Sequence, residues 1–136
     1  MDISKIKVRF GGKYEPKDER LIGLLKNAYQ GKLLVHTVLI KFEGIKPFSD
    51  FKPQISMEYR NYFETIEKQG SPPPLYVYPV QDLFIMSDDY NAYFLYQEKG
   101  YQEIVCVLLG DSDSKFIIKK SRPFHLPVPK ASPNIL

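Results

Sequence analysis

The stretch FIMSDDYNAYFLYQEKGYQEIVCVLLG, Phe84–Gly110, holds the clearest structural punctuation in the chain. Leu83–Met86 is a short apolar run. Ser87-Asp88-Asp89 follows it, three short acceptors that satisfy free N–H groups at a helix start, where the helix dipole also favours negative charge. A helix is predicted over Tyr90–Lys99, ended by Gly100, and then a buried strand over Ile104–Leu109.

Working toward the N-terminus, LYVYPVQDLFIM (Leu75–Met86) reads as a β-hairpin turning through Pro79-Val80-Gln81-Asp82. The Ser71-Pro72-Pro73-Pro74 run stiffens the chain before it. Ser56 is a good N-cap for a helix in which Tyr59, Tyr62, Phe63 and Ile66 repeat at helical spacing, and Gly70 closes it. The near-continuous apolar segment Leu33–Phe42 predicts a strand buried on both faces. Upstream, Pro16 is expected at the first position of a helix whose buried face is Leu21, Leu24, Leu25 and Ala28, with Gly31 ending it. Ile6, Val8 and Phe10 alternate with charges and suggest a short strand or arm.

Toward the C-terminus, Gly110-Asp111-Ser112-Asp113-Ser114 reads as a turn and Phe116–Ile118 as a short last strand. Four prolines beyond Arg122 mark a tail that cannot join a sheet interior and is expected to be extended or disordered. The expected fold is α+β: a small mixed β-sheet with about three helices, in one domain over residues 1–122 with a core at about 33–118. Residues 123–136 form the Pro-rich tail. A chain of 136 residues fits a single domain.

Charge and cysteine content narrow the function classes. A net charge of +3 neither demands nor excludes nucleic acid. The late basic residues Lys115, Lys119, Lys120 and Arg122 are the candidate nucleic-acid contacts, set against the commoner reading of a solvated face. A lone Cys106 rules out an internal disulfide framework. With no apolar run near the roughly 18 residues of a membrane span, a cytoplasmic protein is the default. His36 lies in a predicted buried strand and His125 among prolines, so a histidine-based acid/base or zinc site is not expected. Cys106, flanked by Val105 and Val107, is read as a small hydrophobe rather than a nucleophile. Asp88 and Asp89 have the chemistry of Mg²⁺ ligands, but N-capping is the commoner reading of such a pair. Tyr90, Tyr93, Phe94 and Gln97 share one helical face, assigned to the core; Tyr96 and Tyr101 are then left outside as a protein-partner or homodimer face.

The order of elements from Leu33 onward is strand, helix, hairpin, helix, strand. With its junction residues it resembles the ParB N-terminal domain and sulfiredoxin-like superfamily. Ile45-Lys46-Pro47 resembles the "leucine, any, proline" after the first core strand. Pro73-Pro74-Leu75-Tyr76-Val77 resembles the strand that opens with two prolines, and Phe84–Gly110 resembles the run built on an Asp-Gly-His-His-Arg box. The resemblance implies a phosphate site at the start of the third helix, where a glycine admits the anion and an arginine grips it. The positions that would hold nucleotide are Asp88, Asp89, Tyr90 and Asn91, with Arg60 nearby. Here Asp89 stands for the glycine and Ala92 for the arginine. That exchange removes a cation and adds a carboxylate, and like charges repel at such a site. Tyr90 stands where sulfiredoxins carry their reactive cysteine.

Three functions are therefore expected in turn. The favoured one is a non-catalytic interaction or regulatory module without cofactor. An alternative is a ParB-like nuclease or nucleotide-dependent phosphotransferase with a rearranged site, the only case that calls for Mg²⁺ or nucleotide. The last is a DNA-binding accessory protein using the late basic residues.

Overall fold

The structure is a computed structural model and describes residues 16–127. The expected N-terminal strand (Ile6, Val8, Phe10) and the tail beyond Pro127 lie outside the described residues. The elements are α1 (Glu19–Tyr29), β1 (Val35–Lys41), a 3₁₀ turn (Phe42–Gly44), β2 (Ile45–Pro47), α2 (Met57–Lys68), β3 (Leu75–Val80), β4 (Leu83–Met86), α3 (Tyr90–Glu98), β5 (Glu103–Leu109) and β6 (Ile117–Lys120). The fold is α+β, with a mixed sheet of six strands in the order β2-β4-β3-β5-β1-β6.

Capping chemistry sets the helix starts. Asp18, not Pro16, begins α1: its side chain accepts from the amides of Arg20 and Leu21. Ser56 caps α2 and Asp89 caps α3. Gly31 (φ 75°) and Gly100 (φ 76°) take the left-handed conformation just past α1 and α3, where a side chain would be strained.

The sheet is not flat. Lys41 and Ile45 are four residues apart, so at most ~14 Å of chain joins them. Yet β1 and β2 are separated by four strand spacings, ~19 Å in a flat sheet. The sheet must curl so that its ends approach. Two contacts close the gap. Gly44 lies against the Phe116 ring, and the Ser114 hydroxyl donates to the Asp82 carbonyl at 2.6 Å.

Period-2 alternation divides the strands between two cores. Val38, Ile40, Leu75, Val77, Phe84, Met86, Ile104, Cys106 and Leu108 face α2 and α3. Val35, Tyr78 and Leu109 face the other way, onto Leu21 and Ala28 of α1. Residues 17–30 therefore cover the second face of the sheet. Buried residues surround α3 on most sides (Tyr90, Ala92, Tyr93, Leu95, Tyr96), because it lies between the sheet and α2.

Three expectations change. The hairpin turns on Gln81-Asp82 alone, with Gln81 at φ 55°, and Pro79 pairs with Phe84 inside β3. Pro79 is tolerated because the β5 ladder on its other side stops at Val77, so its missing N–H has no partner to serve. The last strand is Ile117–Lys120, with a register shift between Leu39 and Ile40 of its β1 partner. The chain beyond Arg122 stays with the domain: Phe124 and Val35 exchange both backbone bonds at 2.9 Å, and Leu126 joins the α1 core. Pro123 fits there because this is the sheet edge.

Candidate functional site

The β4–α3 turn, Ser87-Asp88-Asp89, brings three elements together. Asp89 leaves β4 in a non-helical conformation and bends its carboxylate back over the start of α3. One oxygen accepts the Ala92 amide at 3.0 Å, and the other accepts the Tyr59 hydroxyl from α2 at 2.5 Å. Burial, and then that bond to Asp89, pushes the Tyr59 phenol up. The helix N-terminus thus already holds an anion, one supplied by the chain itself.

Asp88 turns the opposite way, toward β3 and α1. The Tyr76 amide donates to it at 3.4 Å. Ser87 is buried, and its hydroxyl donates to Asp18 at 2.7 Å; the Tyr78 hydroxyl donates to the same oxygen at 2.8 Å. Burial and then this bond push Tyr78 up to about 12. Asp18, Leu21, Ile22, Leu25, Ser87 and Asp88 line a cleft of about 510 Å³ between α1 and the turn.

The sequence-derived site residues separate in space. Asp88 and Asp89 flank one turn but face different neighbours. The Tyr90 hydroxyl lies 3.2 Å from that of Ser49, and its ring meets Phe51 edge-on. The Asn91 Oδ1 is buried without a hydrogen-bond partner among the described residues. Arg60 is engaged elsewhere, forking onto both Glu98 oxygens at 2.7 and 3.1 Å. Ala92, where the expected resemblance would put an arginine, is fully buried in the core, so an arginine there would have to displace packed side chains.

No protein-family model matches this chain, and no curated protein matches it.

The late basic residues are spread over different surroundings, with Arg122 exposed just past β6. Lys119 and Lys120 point to opposite faces of β6, since neighbours alternate along a strand. Lys120 bonds to Asp111 at 2.7 Å and holds that carboxyl below its usual range. Lys115 lies 4.0 Å from Asp82. Lysines beside a bulge and a proline are also what a sheet edge uses to resist pairing with another strand.

Tyr96 and Tyr101 are not left outside, because α3 is enclosed on more than one face. Tyr96 is 1% exposed and donates to the Pro73 carbonyl at 2.6 Å; Tyr101 is half-buried and donates to Glu67. Both rings belong to the packing between α2, α3 and the proline run. Cys106 is buried, and desolvation pushes its thiol up, which leaves little thiolate for chemistry. His36 is 6% exposed, with Nδ1 3.0 Å from the Gly110 carbonyl. Among the described residues no group of three or more His, Cys, Asp or Glu is placed to hold a metal ion, and no helix is long and apolar enough to cross a membrane.

Sequence reasoning missed Asp18 and Tyr59 as members of this site. Asp18 carried a usable signal, an aspartate just before the Leu21 periodicity, that the nearby proline obscured. Tyr59 carried none, since its reach to Asp89 depends on how α2 packs.

Proposed function

We propose that this chain is a non-catalytic interaction or regulatory module of ParB/sulfiredoxin-like type, acting in the cytoplasm, whose phosphate site has been filled from within. The observation that carries the reading is the Asp89 carboxylate, seated at the α3 N-terminus and bonded to the Ala92 amide and the Tyr59 hydroxyl. A phosphate brought to the same amides would meet this charge and have to displace it. The buried Ala92 and the commitment of Arg60 to Glu98 support the reading, since neither position offers a cation to an incoming anion. The order of elements from β1 to β5 supports the superfamily, being the strand, helix, hairpin, helix, strand expected of it with one short extra strand, β2, inserted after the first.

In this reading the partner is a protein or a second copy of the chain. Met57 (69% exposed) and Tyr62 (50% exposed) are the large apolar side chains that α2 offers to a partner. Calorimetry with ATP or CTP and Mg²⁺ at millimolar nucleotide tests the lost site, and a flat titration is expected. Saturable heat, or phosphate release abolished by Asp89→Ala, would favour the rearranged nuclease or phosphotransferase instead.

A further inference from the structure

The cleft between α1 and the β4–α3 turn has two unlike walls. Leu21, Ile22 and Leu25 of α1 make an apolar one, and Ser87 and Asp88 of the turn make a polar one. Ile22 leaves 44% of its surface open there. The two carboxylates at the cleft differ in support. Asp18 accepts four hydrogen bonds, from the amides of Arg20 and Leu21 and the hydroxyls of Tyr78 and Ser87. Asp88 has the long bond from the Tyr76 amide and help from the amides of its own turn. Among the described residues no ion pair reaches Asp88. The cations of this end of α1 have other neighbours: Lys17 lies 3.8 Å from Glu19, and the Arg20 guanidinium sits 4.8 Å over the Tyr78 ring. A complementary occupant is apolar along one side and basic along the other.

The chain carries such a segment next to the cleft. Ile6-Lys7-Val8-Arg9-Phe10 alternates apolar and basic residues, and successive side chains of an extended segment point to opposite sides. Residues 1–15 hold Lys5, Lys7, Arg9 and Lys13 against Asp2 and Glu15. They join the described structure at Pro16, which itself lines the cleft. At most ~21 Å of chain separates Phe10 from Pro16, and Gly11-Gly12 between them allows the chain to double back. The cleft volume of about 510 Å³ suits a few side chains rather than a globular partner.

We infer that residues 6–10 dock in this cleft, with Ile6, Val8 and Phe10 against the α1 wall and Lys7 or Arg9 paired with Asp88. Tethering favours this occupant over a separate protein of the same chemistry. A short linker holds the segment at an effective concentration on the order of millimolar. Contacts too weak to retain a free peptide then keep the cleft filled.

Nuclear Overhauser contacts in the isotope-labelled full chain test this. Burial, and then Asp89, push the Asp88 carboxyl up to about 7, so the spectra are recorded at pH 8, where it is charged. Contacts are expected from the side chains of Ile6, Val8 and Phe10 to the methyls of Ile22 and Leu25. Lys7→Glu combined with Arg9→Glu should abolish them, and Asp88→Asn should weaken them. Should Asp88→Asn not fold, the double variant decides alone, since it alters no residue of the cleft. Absence of these contacts in the wild type, or their survival in the double variant, would overturn the inference. A mixture of labelled and unlabelled chains identifies the remaining occupant: contacts seen only between copies would assign the cleft to a second molecule and likewise refute docking within one chain.

Discussion

Asp18 shows how much one side chain can organise. Its carboxylate terminates α1 by taking two amides and ties that helix to β3 and to the β4–α3 turn through two hydroxyls. Removing it deletes the cap and strands the Tyr78 and Ser87 hydroxyls in a buried place. Asp18→Ala is expected to cost about 3 kcal/mol or more, the sum of a cap and two unsatisfied buried hydroxyls. Urea titration followed by circular dichroism measures this. Asp18→Asn keeps one acceptor oxygen and should fall between the two. A loss below about 0.5 kcal/mol for the alanine variant would mean that water replaces the aspartate, contrary to the burial seen here.

At the scale of elements, the 3₁₀ turn between β1 and β2 depends on having no side chain at Gly44. A Cβ there would lie 2.5 Å from the Phe116 ring and inside the closing contact of the sheet. Gly44→Ala is expected to destabilise by about 1–3 kcal/mol, as overpacking usually does. The penalty should shrink toward zero in a Phe116→Ala background, because the two changes share one contact. Thermal melts of the four proteins in that cycle check it, and an additive result would locate the strain elsewhere.

Elements of this kind were legible to the extent that their signals are local. The Ser56 and Asp89 caps and the Gly31 and Gly100 stops act within about four residues, so sequence shows them directly. The Pro79 position was misleading because its tolerance comes from where a different strand stops. Phe124 and Leu126 look like tail in sequence because their partners, Val35 and the α1 core, lie far off along the chain. The candidate site was half legible for the same reason. Asp88 and Asp89 are adjacent and visible, whereas Tyr59 and Asp18 arrive through packing. The tyrosines of α3 were divided by a one-face rule that fails for a helix enclosed on several sides.

The whole molecule rests on pairings between distant segments. Its central ladder joins β1 to β5 over seven residue pairs, from Val35–Leu109 to Lys41–Glu103. β5 also supports β3, so it is the strand on which both halves of the sheet depend. A chain ending at Gly100 keeps all three helices and the β3–β4 hairpin but has no sheet centre. It is expected to show no cooperative thermal transition. A sharp melt in that fragment would mean that the helices and hairpin form a stable unit alone.

The β1–β5 ladder also bears on how the protein is made. While the ribosome is still adding residues before 109, β1 has emerged without its main partner, and its apolar side chains wait in solution. Loop closure over some seventy residues must then precede most of the stabilising contacts, which slows folding relative to helical domains of similar size. A nascent chain of this kind spends its early life exposed to chaperones and to its neighbours on the same message.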